Sequence, residues 1–200
     1  MNTNISYIFT NTNEAGNGVY IGDYFLTAAH VIAYSDNFGG GKDYLTSSAL
    51  CINNTNSLLK SILCRLSFFR YGWNYDDFAI FEGNGSHSPL ILSPELPLPD
   101  NVLNTYSIKE LATINRNNIF SSTNKERYVT YVDKAKVLYI RGNYIFCEMD
   151  GMLEKGRSGC PLIKDNKVYG ILRGGDDKKI CWFQSSVSIL KRLREQCISI

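Results

Sequence analysis

Apolar residues fall along this chain in short runs, and clusters of Gly, Asn, Asp and Ser divide one run from the next. In the first half the pattern predicts strands at 6–10, 19–21, 24–27, 49–52, 58–69 and 78–81. In the second half it predicts them at 105–108, 112–114, 128–132, 136–140, 144–147, 161–163 and 167–172. Gly22-Asp23 is a two-residue hairpin signal, and Arg141-Gly142-Asn143 and Lys164-Asp165-Asn166 read as further tight turns. Residues 11–18 and 36–42 are rich in turn formers and read as loops, the second of them mobile. Residues 114–127 are polar and Asn-rich and read as a long surface loop. Residues 28–32 suit a short helical turn. Only at the end does the period change. Val187, Leu190, Leu193 and Cys197 keep the spacing of an amphipathic helix over 185–196. Lys191, Arg192 and Arg194 complement the negative end of its dipole.

Ser93-Pro94-Glu95-Leu96-Pro97-Leu98-Pro99-Asp100 holds three of the five prolines and lies near the midpoint, so it reads as an extended crossover. Strands on both sides and one terminal helix predict an all-β chain: two packed six-stranded antiparallel β-barrels with a C-terminal α-helix. The expected division is an N-terminal barrel at 1–92, the Pro-rich linker at 93–104, a second barrel at 105–184 and the helix at 185–200.

Composition removes several classes of function. A net charge of +2 provides no strong field for nucleic acid or an acidic membrane surface. No apolar run approaches the roughly 18 residues that a membrane helix needs. The N-terminal residues have neither the basic start nor the apolar core of a secretory signal, so the cytoplasm is the expected compartment, or the host cytoplasm if the protein is viral. Six cysteines without any C-x-x-C pair, and only two histidines, argue against a zinc site. In a reducing compartment the cysteines are expected to be buried free thiols.

Candidate chemistry centres on Gly156-Arg157-Ser158-Gly159-Cys160-Pro161-Leu162. Flanking glycines let the backbone bend sharply around one serine. Such a turn can aim two backbone amides at one point, although by itself it reads equally as a plain turn before a strand. A serine hydroxyl needs a base, and the base works best when an acid orients it. His30 follows a strand among small residues and fits either a cleft or a hydrogen-bonded core position. His87 lies in a polar loop and reads as solvated. Asp77 leads directly into the apolar run 78–81, as a fixed rim carboxylate or as a solvated strand start. Together His30, Asp77 and Ser158 stand in the chain order of the β-barrel triad, separated by 47 and 81 residues. The Gly-x-Ser-x-Gly elbow of α/β-hydrolases is absent, because position 160 is Cys.

These segments resemble a known family. Thr27-Ala28-Ala29-His30 resembles the Thr-Ala-x-His signature of trypsin-like, chymotrypsin-fold serine peptidases. Asp77-Phe78-Ala79-Ile80 is similar to their Asp-hydrophobic-Ala-hydrophobic segment, and 156–162 to their Gly-Asp-Ser-Gly-Gly-Pro-Leu. Residues 168–175 are similar to the strand lining their substrate cleft. The likeness spans about residues 15–197, and its departures resemble bacterial and viral members more than digestive ones. It implies Ser158 as nucleophile, His30 as general base, Asp77 as the orienting acid, and the backbone amides of Gly156 and Ser158 as oxyanion donors. It implies a protein or peptide substrate, no metal and no cofactor, and it leaves room for a regulatory protein partner. The same resemblance places Met152, Leu172, Arg173, Gly174 and Gly175 at the substrate pocket. There Leu172 stands where relatives selective for glutamate carry His, and Met152 stands at the pocket floor, so an apolar P1 residue is expected. Arg173 has three expected fates: solvent, narrowing of the pocket, or binding a carboxylate. Arg157 replaces the acid that pairs with a newly cut N-terminus in zymogen members, so activity without that cut is expected. Cys160 is expected to be an inert packed thiol. Two other readings stay open: a catalytically silent trypsin-like fold used as a protein-binding module, and a viral polyprotein-processing protease.

Overall fold

The computed structural model describes residues 4–10, 15–35, 43–45, 49–53, 58–59, 66–70, 76–82, 88–110, 128–151, 153–176 and 179–200. Met152, His87, Cys64, the loop expected at 36–42 and the strand and loop expected across 112–127 lie outside them.

The first half forms a seven-stranded sheet. Its strands are β1 (Ile5–Thr10), β2 (Ala15–Ile21), β3 (Tyr24–Thr27), β6 (Ala49–Asn53), β7 (Leu58–Leu59), β8 (Leu66–Arg70) and β9 (Phe78–Glu82). The spatial order is β7-β6-β1-β2-β3-β9-β8. A one-turn helix α1 (Ala29–Ile32) and a small ribbon of β4 (Ala33–Ser35) with β5 (Asp43–Leu45) branch from it after β3. The hairpin at Gly22-Asp23 forms as expected, with Ile21 paired to Tyr24 and Gly22 at φ +53°.

The second half contains β10 (Ile91–Leu92), β11 (Val102–Glu110), β12 (Tyr128–Arg141), β13 (Tyr144–Met149), β14 (Pro161–Lys164), β15 (Lys167–Gly175) and β16 (Ile180–Ser185). The ring β15-β14-β11-β12-β13-β16 closes through a β15–β16 pairing, so a six-stranded barrel has no free edge. β10 joins its rim as a parallel partner of β15, so the chain is already paired with the second barrel before the crossover expected at 93. Helix α2 (Ser186–Glu195) follows, capped by Ser185, whose side chain accepts from the Ser188 amide at 3.2 Å. Ser186 ties the helix back to the crossover by donating to the Ser93 carbonyl at 2.7 Å.

In β1 (5–8), β2, β3 and β9 (78–81) the described side chains are buried on both faces, which is why these strands read as continuous apolar runs. On β2, Tyr20 packs inward with Phe25, Val31 and Phe81. Val19 and Ile21 face the other way, onto a cluster shared with Ile108, Ile163 and Ile171 of the second barrel and Ile189 and Leu193 of α2. The two halves meet at this one apolar cluster, with His30 and Asp77 in the first half and Ser158 in the second.

Three differences from expectation have physical reasons. β2 begins at Ala15 although 11–18 is rich in turn formers. Gly16 is there for closeness: a Cβ would sit 2.6 Å from Val31 Cγ2 and 2.9 Å from the Ser158 carbonyl. β12 is one long strand where two were expected, because Lys134 and Lys136 are exposed and Asp133 is paired with Arg157, so none of them breaks it. Cysteines 147, 160 and 181 are free and buried, as expected, but Cys197 is free and exposed. It follows the helix in a left-handed conformation (φ 57°), and Ile198 takes the apolar position instead.

Candidate active site

His30 sits in α1, directly after β3. Its ring nitrogen Nδ1 lies 2.6 Å from Asp77 Oδ2, and its backbone amide donates to Asp77 Oδ1 at 3.0 Å. The two contacts use both carboxylate oxygens and fix the plane of the group. Asp77 is 1% exposed and His30 29%, so the acid is buried behind a base that opens to the cleft. A buried carboxylate requires partners. The Asp77 amide donates to Gln184 Oε1 at 2.5 Å, and Gln184 Nε2 donates to Asp76 Oδ1 at 2.9 Å. Asp76 also accepts from Asn143 Nδ2 at 3.0 Å and from Arg192 Nε at 2.5 Å. One side chain from β16, one from a hairpin turn and one from α2 thus hold the Asp76-Asp77 corner from the second-barrel side.

Arg173 lies beside a carboxylate of this chain, Asp77. Leu172 pairs with Phe183 and Gly174 with Trp182, so Arg173 is the extra residue of a β-bulge. A bulge re-aims the side chain it carries. Here the guanidinium turns to Asp77, with Nε 3.4 Å from Oδ2, while Nη1 donates to the Tyr144 hydroxyl at 2.7 Å. The group also lies over the Tyr144 ring, 5.2 Å from its centre. Burial pushes the Tyr144 hydroxyl pKa up, and the adjacent guanidinium opposes part of that rise.

Ser158 lies in the turn between β13 and β14, with Gly156 at φ +90° and Gly159 at φ +83°. The second of these glycines is doubly required, since a Cβ there would lie 1.9 Å from the Asn17 carbonyl oxygen. The turn is seated on β2: the Asn17 amide donates to the Ser158 carbonyl at 2.7 Å, and Asn17 Nδ2 donates to the Gly156 carbonyl at 2.7 Å. Gly159 donates to the Leu172 carbonyl at 2.7 Å and thereby fixes the far end to β15. Among the described residues no acceptor is bonded to the amides of Gly156 and Ser158, and no hydrogen bond joins the Ser158 hydroxyl to His30.

Between the two oxyanion-hole candidates stands Arg157. It points away from the cleft, to Asp133 of β12 through Nη2 and to the Ser107 hydroxyl through Nε and Nη2 at 3.3 and 3.1 Å. Cys160 is buried, and that burial pushes its thiol up to about 12, so it is a neutral packing group near pH 7.

The structure brings His30 and Asp77 together and seats the Ser158 turn beside Gly16, which touches Val31 next to His30. Leu172, expected at the substrate pocket, is 2% exposed and packs in the second-barrel core cluster. Gly174 lies on the Trp182 indole at 3.2–3.4 Å, measured from the position a Cβ would take. Gly175 faces Leu153, whose Cδ1 stands 2.1 Å from such a position. Asn17, Asp133 and Gln184 are site residues that the sequence did not single out, while Leu153 lies in the stretch 152–155 expected at the substrate pocket. Of the three, Gln184 alone carried a signal, as a polar residue directly after the apolar run Cys181-Trp182-Phe183.

The chain matches no family model and no curated protein sequence. It is similar to solved structures of chymotrypsin fold. One is the inactive form of the Rv3671c protease of M. tuberculosis, with a TM-score of 0.62 at 16% identity, over 97% of this chain and 89% of that one. Another is a serine endoprotease from Yersinia pestis, with a TM-score of 0.68 at 14% identity, over 98% of this chain and 63% of that one. A third is the scabies mite inactivated protease paralogue S-D1, with a TM-score of 0.66 at 12% identity, over 96% of this chain and 91% of that one. The fold of this chain is therefore the chymotrypsin fold.

Proposed function

We propose that the chain is a serine endopeptidase acting through His30, Asp77 and Ser158. The observation that carries the reading is the His30–Asp77 pair: a half-exposed imidazole held through Nδ1 at 2.6 Å by a buried carboxylate, which leaves Nε2 for the cleft. Ser158 Oγ attacks the scissile carbonyl while His30 Nε2 takes its proton. The tetrahedral oxyanion is held by the amides of Gly156 and Ser158. His30 returns the proton to the leaving amine, and water then cleaves the acyl-enzyme by the same steps. Asp77 holds the tautomer and stabilises the imidazolium. Arg157, bonded within its own barrel to Asp133 and Ser107, supports activity that needs no newly cut N-terminus.

A fluorophosphonate probe, which phosphonylates an activated serine, tests this. The folded wild type takes one label per chain, and Ser158→Ala takes none. The second reading, a silent fold used as a binding module, draws on the unbonded Ser158 hydroxyl and on the likeness to an inactivated paralogue. It requires that the folded wild type stay unlabelled.

The P1 residue is small and apolar in this reading. Leu153 Cδ1 fills the space a Gly175 Cβ would take, and this reading places both residues at the P1 pocket, which Leu153 narrows. Leu153→Ala widens it, and one or more methylenes in such a pocket are worth roughly 10–200-fold in selectivity. In a peptide-library profile the variant therefore shifts at least tenfold in kcat/KM from Ala toward Phe at P1. A wild-type profile dominated by Lys, Arg or Glu at P1 would sink the assignment.

A further inference from the structure

We propose that Asn17, a fully buried residue of the first sheet, is the positioning residue that holds the nucleophile turn of the second barrel in its oxyanion-binding shape. The assignment rests on the peptidase reading above and adds a residue to it. Asn17 is 0% exposed and uses every polar group it has. Its Oδ1 accepts from the Ile108 amide at 2.7 Å, and its Nδ2 donates to the Ile108 carbonyl at 3.2 Å. The same Nδ2 donates to the Gly156 carbonyl at 2.7 Å. Its backbone amide donates to the Ser158 carbonyl at 2.7 Å, and its backbone carbonyl accepts from Thr27 Oγ1 at 2.7 Å. Thr27 stands three residues before His30.

The geometry has a specific consequence. A turn with two left-handed glycines is soft, because Gly156 reaches many conformations at little cost. An oxyanion hole requires the opposite: two amides fixed on one point before the charge develops. Asn17 binds the carbonyls of Gly156 and Ser158, the two residues whose amides face no acceptor among the described residues. The held carbonyls belong to the 156–157 and 158–159 peptide planes, which follow the two oxyanion donors, so Asn17 anchors the turn on the C-terminal side of each donor and limits its movement as a body. The two contacts to Ile108 lock the Asn17 amide against rotation. A water in its place could satisfy the same groups but would not stiffen them. The clamp also joins the two halves, so it sets the nucleophile turn of the second barrel against the β2–β3 hairpin that leads to the base in the first sheet.

The test is the labelling rate with the fluorophosphonate, whose phosphoryl oxygen uses the same donors, measured well below the melting temperature. Asn17→Ala keeps the backbone bond to Ser158 and deletes the side-chain bonds. Losing a positioned donor pair lowers kinact about 100-fold, with KI within threefold of wild type and a native near-UV circular dichroism spectrum. Asn17→Ser, too short to reach Gly156, gives the same split if the Ala variant does not fold. Folded variants whose kinact stays within threefold of wild type overturn the assignment, even if their melting temperatures drop. Failure of both variants to fold also overturns it, by making Asn17 a folding residue. An unlabelled wild type overturns the peptidase reading itself.

Discussion

Asp77→Asn lowers the turnover of a casein substrate about 10⁴-fold, the order seen when a triad acid becomes its amide, and leaves the fold intact. The size follows from which end of the new amide faces which partner. The His30 backbone N–H points at Oδ1 from 3.0 Å and cannot move without moving α1. An amide oxygen must take that position, because two donors facing each other in a buried site cost about 1–3 kcal/mol. The NH2 group then occupies the place of Oδ2, 2.6 Å from His30 Nδ1. It donates to Nδ1 and forces the ring proton onto Nε2, the atom that takes the Ser158 proton in the proposed mechanism, and so blocks proton uptake. Arg173 also approaches Oδ2, but from 3.4 Å and on a flexible stem with Tyr144 as a second partner, so it yields before the backbone does. The measurement is kcat beside the melting temperature. A loss under tenfold would show that Asp77 does not set the tautomer, and the proposed triad would fail with it.

That argument relies on residues of unequal legibility. His30, Asp77 and Ser158 were readable because each lies in a local motif whose neighbours have a physical job: small residues before the base, an apolar strand after the acid, glycines around the nucleophile. The tight turns were readable for the same reason, as with Gly142 at φ +58° and Asp165 and Asn166 at φ 51° and 59°. The residues that hold the site were not. Asn17 meets Gly156 across 139 positions and Gln184 meets Asp76 across 108, and nothing local in either segment announces the partner. Asn17 even looked like loop composition, because the same closeness that requires Gly16 imitates a turn. β16 escaped because its apolar run 180–183 merges into the helix that follows, although Cys181 and Phe183 are buried and Trp182 between them is only half-buried. Arg173 was visible as an oddity, but a bulge is a property of the pairing register and not of one strand.

Reversing the charges of Arg157 and Asp133 separates a structural ion pair from one that organises the nucleophile turn. Both groups are mostly buried, at 13% and 17% exposed, and Arg157 spans the position between Gly156 and Ser158. Breaking a buried pair by removing one member costs about 3–5 kcal/mol, because the other charge is left without compensation. In Asp133→Ala the guanidinium loses this carboxylate, and because Arg157 stands between Gly156 and Ser158, its displacement is carried into the turn. The Ser107 hydroxyl that it also contacts is neutral. The labelling rate therefore falls about 10³-fold if roughly 4 kcal/mol appears in the oxyanion hole. Arg157→Asp is at least as slow, since it sets two carboxylates against each other. The double variant Arg157→Asp/Asp133→Arg restores the attraction with the contact moved toward residue 157, the long side chain now reaching from β12. It recovers to within tenfold of wild type, and the double-mutant cycle yields a coupling beyond what independent sites show. A double variant no faster than the slower single one, or single variants within threefold of wild type, would mean that the pair only fastens β12. The turn would then depend on its contacts to the first sheet.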